Sequence, residues 1–127
     1  MARVILDSGI LIALFNDLDA HNKSVVSAVT AEPNNLYFIS AISFAESLIH
    51  AFQNNDSEEA KENILRVIDD VIDVDTEIAV MAAAIRAKKI SLLLPDAFIS
   101  ATAQVHGLTL WTTDKGLASV TPGSRLL

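Results

Sequence analysis

The sequence predicts an α/β fold in which a parallel sheet is covered by helices on both faces, and three observations carry that expectation. Short apolar strands alternate along the chain with helical patterns. Each strand is apolar on both faces, as a strand buried from two sides must be. The loop-like stretches "AEPNN", "QNNDS" and "VTPGS" are short, and no repeat, low-complexity tract or Gly/Ser linker divides the chain. At 127 residues it is expected to form one domain, residues 1–127, with a core that needs no staples. With 51% hydrophobic and 20% charged residues, it is a globular sequence and not a disordered one.

The elements follow in order. "RVIL", Arg3–Leu6, reads as a strand that stops at a carboxylate, Asp7; Asp7 or Ser8 can cap a helix over Ile10–Phe15. A helix over His21–Ala31 runs into "AEPNN". Tyr37–Ile39 is the second strand, followed by a helix over Ala41–Gln53. At 100° per residue, Ile42, Ala45, Leu48, Ile49 and Phe52 form that helix's apolar stripe, with Glu46 at its edge. Asp56 or Ser57 caps a helix over Ser57–Asp69, whose first turn is acidic. A strand at Val71–Val74 leads to a helix over Asp75–Lys88, with Ile78, Met81, Ala82 and Ile85 toward the core. Leu92–Leu94 reads as packing between helices. Pro95 suits the first position of a helix over Pro95–His106, and Gly107 ends it. Thr109–Trp111 is a β-branched and aromatic strand, with a weaker one at Arg125–Leu127.

Composition narrows the function. There are no cysteines, so disulfides and thiolate metal sites are excluded. No apolar run approaches the roughly 20 residues of a membrane span, and the start lacks a signal peptide's apolar region. A cytoplasmic protein is expected. The net charge of −7 argues against a general polyanion binder, whose affinity comes from clustered Lys and Arg. The one dense basic patch, "RAKK" (Arg86–Lys89), is explained as a helix end complementing the macrodipole.

Four acids stand where surface solubility explains them poorly: Asp7, Glu46, Asp96 and Asp114. Each has an ordinary reading by itself. Asp7 caps a helix, Glu46 borders an apolar stripe, Asp96 complements a helix dipole, and Asp114 precedes a turn before "KG". Together they read differently. Asp7 and Asp114 both follow strands, which in a parallel sheet end at one edge, and ligand sites lie beyond that edge. Clustered carboxylates repel unless a cation compensates, and oxygen-only ligands suit Mg²⁺ or Mn²⁺. Such ions activate water and stabilise in-line displacement at phosphorus. Ser8, Thr112 and Thr113 stand beside the acids and can orient water or a carboxylate.

With these blocks in view, the chain resembles PIN domains, and most of all the VapC-type ribonuclease toxins of prokaryotic toxin–antitoxin pairs. The resemblance runs nearly end to end. It rests on "VILDSGILIALF", "SAISFAES" and "LPDAFISATAQVHGLTLWTTDKGL", and on their order and spacing. Asp7, Glu46, Asp96 and Asp114 match the family's acids one by one, and Thr112 matches its threonine; Arg86 resembles an arginine common in these toxins. The resemblance implies a PIN-like three-layer sandwich with a central five-stranded parallel sheet. It also implies a metal-dependent RNA endonuclease, a homodimer held inactive by a cognate antitoxin whose peptide occupies a groove. Asp7, Glu46 and Asp96 would bind Mg²⁺ or Mn²⁺, with Asp114 assisting directly or through water. Arg86, Lys88, Lys89 and Lys115 are candidates for holding RNA phosphates.

The alternative is a non-catalytic PIN-like module that binds RNA or protein, although all four acids are present. A phospho-accepting receiver would need an acidic pair after the first strand, and a haloacid-type phosphatase an Asp at position 9, where this chain has Gly9. His50 lies one turn from Glu46 and is expected at the surface or behind the site; Trp111 is expected in the core.

Overall fold

The computed structural model describes residues 1–127. Along the chain run β1 (Arg3–Leu6), α1 (Ser8–Phe15), α2 (Asn22–Ala31), β2 (Leu36–Ser40), α3 (Ala41–Gln53) and α4 (Ser57–Val67). Then come β3 (Asp70–Ile72), α5 (Thr76–Lys88), α6 (Leu94–His106), β4 (Thr109–Thr112), α7 (Lys115–Ser119) and β5 (Arg125–Leu126). The five strands form one parallel sheet in the order β3-β2-β1-β4-β5.

The two-residue period of a strand sends Val4 and Leu6 to one face and Ile5 to the other. Val4 and Leu6 pack with Ile10, Leu11, Val25, Ile39 and Ile64 beneath α1, α2 and α4. Ile5 packs with Ile99, Ala103, Leu110 and Leu117 beneath α6 and α7. Helix α5 joins this second layer through Ile78 and Ala82 against Leu92, Ala97 and Ala101. Ile5, Leu6 and Leu110 are wholly buried, each contributing about 2–3 kcal/mol by removal from water. Trp111 is a core residue, as expected: it is 2% exposed and meets Tyr37 edge-on, with ring centroids 5.6 Å apart.

The winding of the chain creates the site. From β1 it steps outward through β2 to β3, then returns to the other side of β1 for β4 and β5. The order therefore reverses between β1 and β4, whose register sets Leu6 opposite Trp111. Helices leave such a reversal in opposite directions, and the crevice between them opens at the carboxyl ends of the strands.

Three expectations are corrected. Helix α7, opened by Asp114, replaces a simple turn. Helix α4 stops at Val67, because Asp69 turns back to β2: its carboxylate accepts from Tyr37 N and its N–H donates to Tyr37 O, both at 2.8 Å. The apolar stripe of α3 is rotated. Ser43 and Ala51 are its buried residues, and Phe44 and Leu48 pack on the core. Ile49 and Phe52 are 55% and 66% exposed, and Ala45 is exposed as well. No helix is long and apolar enough to cross a membrane.

Candidate active site at the carboxyl edge of the sheet

Asp7 leaves β1 at the reversal and is 5% exposed. One carboxylate oxygen accepts from Ile10 N at 2.7 Å and caps α1; the other accepts from the Thr112 hydroxyl at the end of β4. The two explanations that the sequence offers for Asp7, cap and site residue, are therefore compatible, because one oxygen serves each. Burial pushes its pKa up. The Thr112 hydroxyl and the Ile10 amide hold it down, and the nearby Asp114 adds to the rise.

Thr112 Oγ1 also accepts from Asp114 N at 2.9 Å, so one hydroxyl links two acids. Asp114 is exposed, and its Oδ1 accepts from Gly116 N and Leu117 N at 2.7 and 3.2 Å, starting α7. Glu46, on α3, accepts from Ser8 Oγ at 2.6 Å, and Ser8 Oγ lies 3.0 Å from Ser43 Oγ. A hydroxyl has one proton. Ser8 gives its own to Glu46, so Ser43 donates to Ser8. The half-buried Thr113 borders Gly9, where a Cβ would stand 3.5 Å from Asp7 Oδ1 and 3.8 Å from Thr113 Oγ1.

Asp96 lies in the first turn of α6. Burial, then the charges of Asp114, Asp7 and Glu46, push its pKa up to about 6, and no hydrogen bond offsets them. The structure thus brings Asp7, Glu46 and Asp114 within electrostatic reach of Asp96, and Asp114 within reach of Asp7. Every donor here is an oxygen, the chemistry of a hard divalent cation. No three acids or histidines are close enough to cage a metal by themselves. Mg²⁺ does not require that, since it keeps several waters and uses one or two carboxylates. The donor set fits such an ion.

The basic candidates divide into two pairs. Lys88 and Lys115 are exposed, Lys115 directly after Asp114. Arg86 and Lys89 are half-buried and engaged: Arg86 Nε donates to Leu92 O at 2.9 Å, and Lys89 Nζ to Ser119 Oγ at 2.9 Å. A groove of about 470 Å³ runs between α1, α3 and α4, lined by Leu11, Phe15, Glu46, His50, Asp56 and Glu59 among others. His50 is exposed there, with Nδ1 3.1 Å from Gln53 Oε1.

Ser43 is the participant that sequence reasoning missed. Its one available signal was its position three residues before Glu46, on the same side of a helix.

Comparison with known proteins places this geometry. The PIN domain family model matches residues 4–121. Among solved structures, the chain is similar to a toxin–antitoxin complex from Klebsiella pneumoniae, at 29% identity and a TM-score of 0.78, covering 96% of this chain and 95% of that one. It is similar in fold to FitAcB from Neisseria gonorrhoeae, with 23% identity, a TM-score of 0.79 and coverage of 98% and 96%. The same holds for VapC20 of Mycobacterium tuberculosis, described as a sarcin–ricin loop cleaving toxin, at 14% identity, a TM-score of 0.73 and coverage of 91% and 93%. No curated protein matches. The parallel sheet reversing at β1 and β4, and the family match over residues 4–121, give one conclusion: the chain belongs to the PIN domain family.

Proposed function

We propose that this protein is a divalent-metal-dependent endoribonuclease and the toxin of a toxin–antitoxin pair. One observation carries the reading: carboxylates from four separate elements, Asp7, Glu46, Asp96 and Asp114, converge at the carboxyl edge of the sheet, where burial and then the charges of the other three raise the pKa of the Asp96 carboxyl to about 6. A fold tolerates such repulsion where a cation relieves it. Asp7, Glu46 and Asp96 are the residues that would hold Mg²⁺ or Mn²⁺, with Asp114 beside them, directly or through water. The ion would supply Lewis-acid stabilisation at phosphorus and a more acidic water.

The chain's own residues do the rest. Thr112 fixes the Asp7 carboxylate against α1, and Ser8 fixes that of Glu46. Asp96, without hydrogen bonds, has both carboxylate oxygens free for a cation. Lys88 and Lys115, exposed near the ends of α5 and β4, are placed to meet RNA phosphates. The acidic and apolar groove beside Glu46 suits a basic segment of an antitoxin, a partner supported by likeness to the Klebsiella pneumoniae complex. The exposed Ile49 and Phe52 on α3 offer apolar surface for a homodimer. A cytoplasmic location belongs to the same reading.

The test is cleavage of a structured RNA by the pure protein with Mn²⁺, against the same reaction in chelator. The wild type is expected to cleave only with metal, and Asp7→Ala and Asp96→Ala not at all. Cleavage that survives both replacements would put the chemistry elsewhere. No cleavage together with no Mn²⁺ binding would favour a non-catalytic PIN module.

A further inference from the structure

Two residues of the basic patch at the end of α5 are not free donors. Arg86 Nε donates to Leu92 O at 2.9 Å, and Leu92 is buried against Ile78 and Ala97. The next carbonyl, Leu93 O, accepts from Ala97 N at 3.1 Å in the opening turn of α6, the turn that carries Asp96. Arg86 thus secures the segment that launches Asp96.

Lys89 does the same for the other arm. Its Nζ donates to Ser119 Oγ at 2.9 Å and Gly116 O at 3.4 Å, and Ser119 Oγ donates to Gly116 O at 2.7 Å. Helix α7 has five residues, far too few to persist without external contacts. Its first turn hangs on Asp114, and a Cβ at Gly116 would stand 3.1 Å from Asp114 Oδ1 and 3.8 Å from Lys89 Nζ. Cation, turn and carboxylate share one small space. The segments so tied carry acids of like charge that push each other apart, and something must oppose that push.

We propose that Arg86 and Lys89 are positioning residues, each bracing to α5 the segment that carries one carboxylate: Arg86 the start of α6 with Asp96, Lys89 helix α7 with Asp114. Neither serves primarily as a phosphate ligand. Their neighbour Lys88, exposed and without a partner, supplies the contrast. This rests on the nuclease reading only for the purpose the braces serve.

The test uses Lys89→Met, Arg86→Met, Lys88→Met and the donor-retaining Lys89→Arg in the full chain. Amide exchange of the metal-free protein reads the braces directly. Lys89→Met is expected to speed exchange at Gly116 and Leu117 about tenfold, and Arg86→Met that at Ala97, as loss of a charged hydrogen bond would do. Lys88→Met is expected to change neither, and Lys89→Arg to behave as wild type. In Mn²⁺ titrations the two brace variants bind about tenfold more weakly, because ligand orientation is lost. In cleavage assays they lower kcat at constant KM, whereas Lys88→Met raises KM and reduces the salt slope by about one. Unchanged exchange at Gly116, Leu117 and Ala97, or a raised KM with constant kcat in the brace variants, would overturn the proposal. A wild type that cleaves no RNA would instead count against the nuclease reading, and the exchange data would still decide on the braces.

Discussion

Replacing Asp96 by Asn is expected to stabilise the metal-free protein at neutral pH. The side chain makes no hydrogen bond, so the change removes charge and little else. A carboxyl with a pKa of about 6 in the folded chain and 3.8 in the ordinary case is protonated more readily folded than unfolded. Between those values the native state holds more protons, so stability falls as pH rises through this window and stays lowered above it. That difference corresponds to a ceiling of about 3 kcal/mol. Asp96 is partly exposed, so solvent screening reduces it to roughly 1.5 kcal/mol. Asn forfeits the favourable interaction of an acid with the α6 dipole, about 0.5 kcal/mol. The net gain is about 1 kcal/mol at pH 7, or about 4 °C in Tm, vanishing below the ordinary carboxylate range. Urea unfolding in chelator across pH 3.5 to 8 measures it. Saturating Mn²⁺ is expected to reverse the order, since an ion that binds only the native wild type adds RT ln(1 + [L]/Kd) to its stability. Equal pH profiles for the two proteins, or an Asn variant less stable in chelator at pH 7, would show that burial and the neighbouring acids do not disfavour the Asp96 charge.

Other perturbations separate site from scaffold. Thr112→Val leaves Oδ2 of the buried Asp7 without a donor and Asp114 N without an acceptor, and is expected to cost about 2–3 kcal/mol in urea unfolding; Thr112→Ser retains both bonds and most of the stability. Ser8→Ala leaves Glu46 unoriented and is expected to weaken Mn²⁺ binding about tenfold by calorimetry, with Tm within a few degrees of wild type. Gly107→Ala forces a side chain into φ 64°, where a Cβ meets nothing within 4 Å. Its cost is therefore conformational only, about 1 kcal/mol of stability with RNA cleavage unchanged.

Much of the scaffold was readable because local chemistry and tertiary burial agree there. "RVIL" is apolar at every position that the sheet covers, Gly107 ends α6 in the left-handed conformation, and Asp75 caps α5 through Ile78 N. Disagreement arose where local patterns were degenerate. Helix α3 carries apolar residues around most of its circumference, so a 100° stripe could be drawn on more than one side. The side that turned inward was chosen by contacts distant in sequence: Ser43 meets Ser8 across 35 positions, while Phe44 and Leu48 reach the core around β1. Helix α7 is shorter than any periodicity can reveal, and only its cap, Asp114, announces it.

The acids were legible for a related reason. A carboxylate directly after an apolar strand is conspicuous, and the parallel sheet then dictates which ends meet. The sequence could not show which cations would face that cluster, because "RAKK" reads equally as a free patch and as a set of anchors. The answer lies in the α5–α6 connection. By turning at Lys89 and burying Leu92, the chain brings Leu92 O beneath Arg86 and the end of α7 beside Lys89. Two of the charges that the resemblance offers to RNA are thereby engaged within the fold, and Lys88 and Lys115 are left exposed. On the nuclease reading, a net charge of −7 with Lys88 and Lys115 as the exposed lysines among the candidates fits an enzyme that selects a particular RNA by shape more than one that binds RNA indiscriminately. Tight, sequence-indifferent RNA binding at physiological salt would contradict this partition of the charges.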